Sequence, residues 1–198
     1  MGNFKQLFSG GGYDLETHEF FGPFSLFSDV AHALDGILRW TGATSQYWSV
    51  ARHSVLVSLI AEKVTDDPFH GAAGLIHDLH EFIVGDIATP IARAIGYKAV
   101  EDLKTKVQAA SEAKLGISQR VTSRVLSDVT KHADRAALFI EKEAFLNKEH
   151  RDWGLAFPPR EYMEAGREAL RSCQAHYSGA HLFIDRWVNL PLRDTGGE

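Results

Sequence analysis

Apolar residues three and four positions apart recur through most of this chain, and that spacing restricts it to packed helices. Val30, Leu34, Ile37 and Leu38 form the first such run, behind Ser28 as a cap, and Gly42 breaks it. Ser49 caps a second helix through about Val64. Asp67 followed by Pro68 starts a third, because proline at the first helical position forfeits no hydrogen bond. This helix is expected to run through HDLHEF to about Gly85, with Pro90 opening the next segment. Residues 98–115 and 118–149 read as charged, alanine-containing amphipathic stretches. Pro158 and Pro159 precede a helical run through about residue 177, and a final helix or turn falls near 180–190. No run sustains strand alternation. The expected fold is all-α: a single-domain helical bundle over residues 28–190, an irregular or short-hairpin lead-in over 1–27, and a flexible tail over 191–198.

At 198 residues the chain fills one core well, and two would be a tight fit. The formal net charge of -5 argues against a surface built for a nucleic-acid polymer, while leaving room for a local basic pocket and a small anionic ligand. Cys173 is the single cysteine, so an intramolecular disulfide and a Cys-rich zinc site are both excluded. Any metal must use His, Asp and Glu. The N-terminal MGNFKQLFSGGG lacks the basic start and apolar run of a signal peptide, and Gln6 stands where a myristoylation signal needs Ser or Thr. No stretch of about 18 apolar residues suggests a membrane span, so the expected location is cytoplasmic.

Against this background, GLIHDLHEF at residues 74–82 sets His77, Asp78, His80 and Glu81 among Leu75, Ile76, Leu79 and Phe82. Burying an unpaired charge is costly unless a partner or a metal takes it up. On a continuous helix His77 and Glu81 lie one above the other, with the small residues Ala73 and Gly74 a turn earlier admitting a close neighbour. Asp78 lies about 100° round, at the edge of that face. His53 shares a face with Val50, Val57 and Ile60 and so points inward. Asp134 stands beside Ala133, Ala136 and Ala137, on a small-residue surface. Singly, each has an ordinary reading as a hydrogen-bonded core histidine or a solvated helix charge. Together, Asp78, Glu81 and Asp134 beside two imidazoles would repel one another and rise in pKa without a cation. Two His and two Asp suit a first-row divalent metal: Mn, Fe, Co, Ni or Zn.

RHS at 52–54, HDLHEFIVGDIATP at 77–90 and ADRA at 133–136 resemble the H…HD…D signature of the HD-domain metal-dependent phosphohydrolases, an all-α family. The likeness spans about residues 28–145 and is to bacterial 5′-deoxynucleotidases of the YfbR type. It extends to related phage and bacterial HD nucleotide hydrolases, DatZ-like dATP triphosphohydrolases among them. The resemblance implies one divalent transition metal held by His53, His77, Asp78 and Asp134. Arg39 and Trp40 in ILRWTG match the Arg-Trp pair of the deoxynucleotidases, and Glu81, Gly85 and Asp86 follow the HD dyad in the same order and spacing. It implies that Arg39 binds phosphate, Trp40 lies against the sugar where a 2′-hydroxyl would be, and Asp86 holds the 3′-hydroxyl. Guanidinium forks match phosphate oxygens, and an apolar ring leaves an extra hydroxyl unpaired.

Glu81 is the candidate catalytic residue, handling the proton of the attacking water without ligating the metal, and a raised pKa is expected of it. His80 departs from the pattern, since a small residue is expected there. The first expectation is a 5′-deoxynucleotidase releasing orthophosphate from deoxynucleoside monophosphates. The second is a dNTP triphosphohydrolase releasing tripolyphosphate, for which Arg93, Lys98, Lys104 and Lys106 could supply cations. The third is a catalytically idle nucleotide-sensing module, against which a positioned Glu81 counts. The expected partner is a small-molecule nucleotide, with no nucleic-acid polymer and no membrane; family habit adds a homodimer or higher homo-oligomer.

Overall fold

In the computed structural model, which describes residues 3–146 and 154–194, the chain opens on three short strands and continues as helices. The strands β1 (Phe4–Gln6), β2 (Gly12–Asp14) and β3 (Phe20–Phe21) pair antiparallel in the order β1-β2-β3, with Lys5 opposite Tyr13 and Tyr13 opposite Phe20. The lead-in is therefore an ordered meander whose Leu7 and Tyr13 belong to the core. Gly11 and Gly12 permit it, since a Cβ on either would collide with the Pro23 and Phe21 carbonyls or the Phe21 ring.

The first helical segment starts earlier than Ser28. Ser25 is the cap, accepting from the Ser28 amide, and a π-helical turn over Leu26–Ala31 runs into α1 (His32–Gly36). Asp29 explains the shift, because its carboxylate accepts from the amides of Ser9 (2.8 Å) and Ser25 (2.6 Å) and so ties the meander to the helix. Ile37 and Leu38, expected to be helical, are extended, and Leu38 bridges to Ser49. A 3-10 turn, Arg39–Gly42, follows with Trp40, Thr41 and Gly42 all left-handed at φ 59°, 54° and 79°.

The central element is α2 (Val50–Thr65), capped by Ser49 as its sequence requires and buried from Val50 to Ser58 without interruption. After it come α3 (Pro68–Ile76), α4 (Glu81–Val84), α5 (Thr89–Ile95), α6 (Tyr97–Leu115), α7 (Gln119–Val125), α8 (Asp128–Phe145), α9 (Arg160–Ala175) and α10 (Gly179–Val188). α3, α8, α9 and α10 all pack on α2. Over Val50–Ser58 a helix so surrounded has no face for exposed charge, and several of its polar groups reach partners on neighbouring segments. Ser58 donates to the Gly71 carbonyl, and Arg52 donates to the carbonyls of Cys173 and His176. Trp48, Leu56, Ile60, Leu75, Ile140 and Phe183 fill the core around it.

Two expected helices are divided. The third ends at Ile76, not near Gly85, and the run expected over 118–149 breaks at Leu126, where Ser127 caps α8 by accepting from the Thr130 amide. Residues 147–149 of that run lie outside the described residues. At the C-terminus Leu192 is buried and its carbonyl accepts from the Ser118 amide (2.8 Å), which anchors the start of the expected tail; 195–198 lie outside the described residues. Among the described residues no helix is long and apolar enough to cross a membrane.

Candidate metal centre

The centre begins where α3 meets α2. Gly74 allows their close crossing, since a Cβ there would stand 3.0 Å from the Ser58 backbone and from the Val57 carbonyl. The Gly74 carbonyl is also the partner of His77 Nδ1 (2.8 Å). Beyond Ile76 the amides of Leu79, Glu81 and Phe82 bond to carbonyls three residues back, which tightens the chain into turns before α4. This overturns the expected stack of His77 over Glu81 on one continuous helix. His77 and Asp78 face His53 instead, while Glu81 gathers with Asp78 and His80; in each triad one donor atom per residue lies within 4.8 Å of the others.

His53 Nε2 is 3.1 Å from Asp134 Oδ1 and 3.7 Å from Asp78 Oδ2; His77 Nε2 is 3.1 Å from Asp78 Oδ2 and 3.8 Å from Asp134 Oδ1. The two rings are 5.3 Å apart. α2, the end of α3, and α8 thus bring His53, His77, Asp78 and Asp134 to one point. The Asp134 side chain is 45% exposed, so the point opens to solvent on the α8 side. Each imidazole has its Nδ1 beside an acceptor, Glu141 Oε1 for His53 (2.6 Å) and the Gly74 carbonyl for His77. That leaves each Nε2 with the lone pair, and both Nε2 atoms are buried with no hydrogen-bond partner. Two bare imidazole nitrogens facing two carboxylates fit a first-row divalent ion.

Titration behaviour follows from the same crowding. Burial disfavours charge on His77, but Asp78 and Asp134 outweigh it and raise its pKa well above the usual imidazole range. His53 is also raised: burial and Arg39 oppose its charge, while Glu141 and Asp134 favour it more strongly. Asp78 and Asp134 move the other way: partial loss of water around them favours the neutral form, but the imidazoles outweigh it and hold both below the carboxylate range. Glu81, 3% exposed, is raised well above the usual carboxylate value by burial and by Asp78 and Asp86.

Glu141 was not among the residues singled out from sequence. It is fully buried on α8, accepts from Trp48 Nε1 (2.8 Å) as well as facing His53, and lies 3.5 Å from Arg39 Nε. The available signal is its spacing, seven residues after Asp134 and so two turns along the same face. Arg39 is held between Glu141 and Asp86 (3.7 Å), and these acids keep its guanidinium charged against the effect of burial. Trp40 follows it on the left-handed turn.

On the other side of Asp78 the His80 amide donates to Gln108 Oε1 (3.0 Å), and His80 Nδ1 lies 3.2 Å from the same oxygen. A cleft of about 420 Å³ opens beside His77, Asp78 and Asp134, with Lys104 and Lys131 in its walls. Of the four cations suggested by sequence only Lys104 lines it; Arg93, Lys98 and Lys106 do not.

No family model matches the chain. It is 33% identical over 121 residues to an uncharacterized protein of Rhodobacter capsulatus, covering 58% of this chain and 60% of that one. It is 32% identical over 117 residues to the uncharacterized protein YfdR of Escherichia coli, covering 58% of each. The chain therefore matches about three-fifths of the length of these curated relatives.

Proposed function

We propose that the protein is a metal-dependent phosphohydrolase acting on nucleotides, with deoxynucleoside monophosphates as the first substrate class. The observation that carries this reading is the pair of buried, bare Nε2 atoms of His53 and His77 converging on Asp78 and Asp134, with Glu81 close by. A divalent ion held by those four residues would neutralise phosphoryl oxygens and lower the pKa of the attacking water. Glu81, buried and raised in pKa, suits a group that takes the proton of that water and returns it to the leaving oxygen. Arg39 presents a permanent charge whose orientation Glu141 and Asp86 constrain, as a phosphate-gripping guanidinium needs. A catalytically idle sensor would gain nothing from placing a buried carboxyl beside the metal donors.

A second reading, a dNTP triphosphohydrolase, is favoured by Lys104 and Lys131, which line the cleft beside the metal donors and could hold further phosphates. A panel of ribo- and deoxynucleoside mono-, di- and triphosphates, assayed with Mn, Co or Zn, separates the two by inorganic product. Deoxynucleoside monophosphates are expected to give nucleoside and orthophosphate, with ribonucleotides poorer by roughly a hundredfold in kcat/KM and that gap narrowed in Trp40→Ala. Tripolyphosphate, with monophosphates untouched, would establish the second reading. No turnover of any nucleotide by the metal-loaded protein would remove both.

A further inference from the structure

Three histidines around Asp78 share one arrangement. His53, His77 and His80 each have Nδ1 within 3.2 Å of a protein acceptor, and each has a buried Nε2 with no hydrogen-bond partner. For His80 the acceptor is itself oriented: Gln108 Nε2 donates to the Ile76 carbonyl (2.8 Å) and to Glu112 Oε1 (2.7 Å), which leaves Oε1 to accept from the His80 amide and ring. His80 Nδ1 is therefore the protonated nitrogen and Nε2 the bare one. An imidazole so prepared has the outer-shell support of a metal ligand, yet His80 has no part in the centre made by His53, His77, Asp78 and Asp134. Its neighbours are Asp78 and Glu81, with one donor atom from each of the three within 4.8 Å of the others. Glu81 is 3% exposed and His80 8%, and Glu81 Oε2 is likewise buried without a partner.

We infer that Asp78, His80 and Glu81 form a second divalent-metal site beside the first, with Asp78 common to both. A carboxylate has two oxygens and can serve two ions, and one nitrogen with two carboxylates is a mixed donor set suited to Mn, Fe, Co or Zn. Glu81 serves as a ligand when this second ion binds, and keeps the proton-carrying role assigned above when only the first is present. Because the second site borrows Asp78, it rests on the same metal centre but not on the phosphohydrolase reading.

The test is a count of ions on the full chain. Metal-stripped protein titrated with Mn²⁺, with free Mn²⁺ read by electron paramagnetic resonance, is expected to bind two ions per chain and, when loaded, to show a spin-coupled spectrum. His80→Ala and Glu81→Gln are expected each to bind one ion and to lose the coupling, and Gln108→Leu to weaken the second ion by about 10- to 100-fold while leaving the first. Saturation of the wild type at one ion, or retention of two coupled ions in both His80→Ala and Glu81→Gln, overturns the second site. If that single ion is lost in His53→Ala, the first centre and the proposed activity stand and only the second ion falls. A wild type that binds no ion ends both. Should His80→Ala fail to fold, as judged by circular dichroism, the wild-type count decides alone.

Discussion

Replacing Glu141 by glutamine removes the charge that faces Arg39 and weakens the acceptor that holds His53 Nδ1–H. Outer partners of metal-binding histidines typically change affinity by about 10- to 100-fold, so Glu141→Gln should lower metal affinity by that amount. It should also cost about 3 kcal/mol of stability, because Arg39 stays buried with only Asp86 as a close counter-charge. Competition against a chromophoric chelator reads the first effect and urea unfolding the second; unchanged metal affinity would reduce Glu141 to packing. At this scale the sequence was informative about residue types and inward faces: His53 is fully buried among Val50, Val57 and Ile60, all of them buried as the helical spacing requires. Glu141 was legible only as a periodic neighbour of Asp134. What places it at the candidate centre is its meeting with His53, Trp48 and Arg39, which are about a hundred residues away along the chain.

At the scale of elements the α2–α3 crossing controls the centre, and Gly74 controls the crossing. A branched side chain there would press on the Ser58 backbone and displace the carbonyl that orients His77. Gly74→Val is therefore expected to lose about 1–3 kcal/mol by overpacking and to lose metal affinity with it. Gly36→Ala is the control, since its added Cβ meets nothing within 4 Å and its stability should change little. Equal unfolding midpoints for the two variants would show that the helices can separate without cost. The caps at Ser49 and Asp67 with Pro68 lie where local chemistry requires, as does the proline at the start of α5. The end of α3 does not, because the apolar residues of HDLHEF satisfy a helical period while the observed backbone tightens after Ile76.

For the whole molecule, an ion held by α2, the end of α3, and α8 links three elements from distant parts of the sequence, so it should stabilise the fold by mass action. At a free metal concentration about 100 times Kd the gain is about 2.7 kcal/mol, or roughly 5–10 °C in Tm for a domain of this size. Calorimetry with and without chelator measures it, and an unchanged Tm would argue against a bound ion. The gain should depend on pH in a definite sense. Metal needs neutral imidazoles, and the His53 and His77 pKa values are raised in the metal-free chain, so the gain is complete above those values and lost as pH falls through them. The loss should therefore start above the ordinary imidazole value of about 6.5. By itself the sequence determined the all-α class, the helix caps and the inward, small-residue faces around His53, His77 and Asp134, because period and capping are properties of neighbouring residues. Only the tertiary structure decided that the lead-in is a core-packed meander, that α3 stops at Ile76, that Glu141 orients His53 and that Gln108 orients His80. Those depend on which buried polar groups from remote segments meet as helices cross, and the local period of a sequence does not encode that.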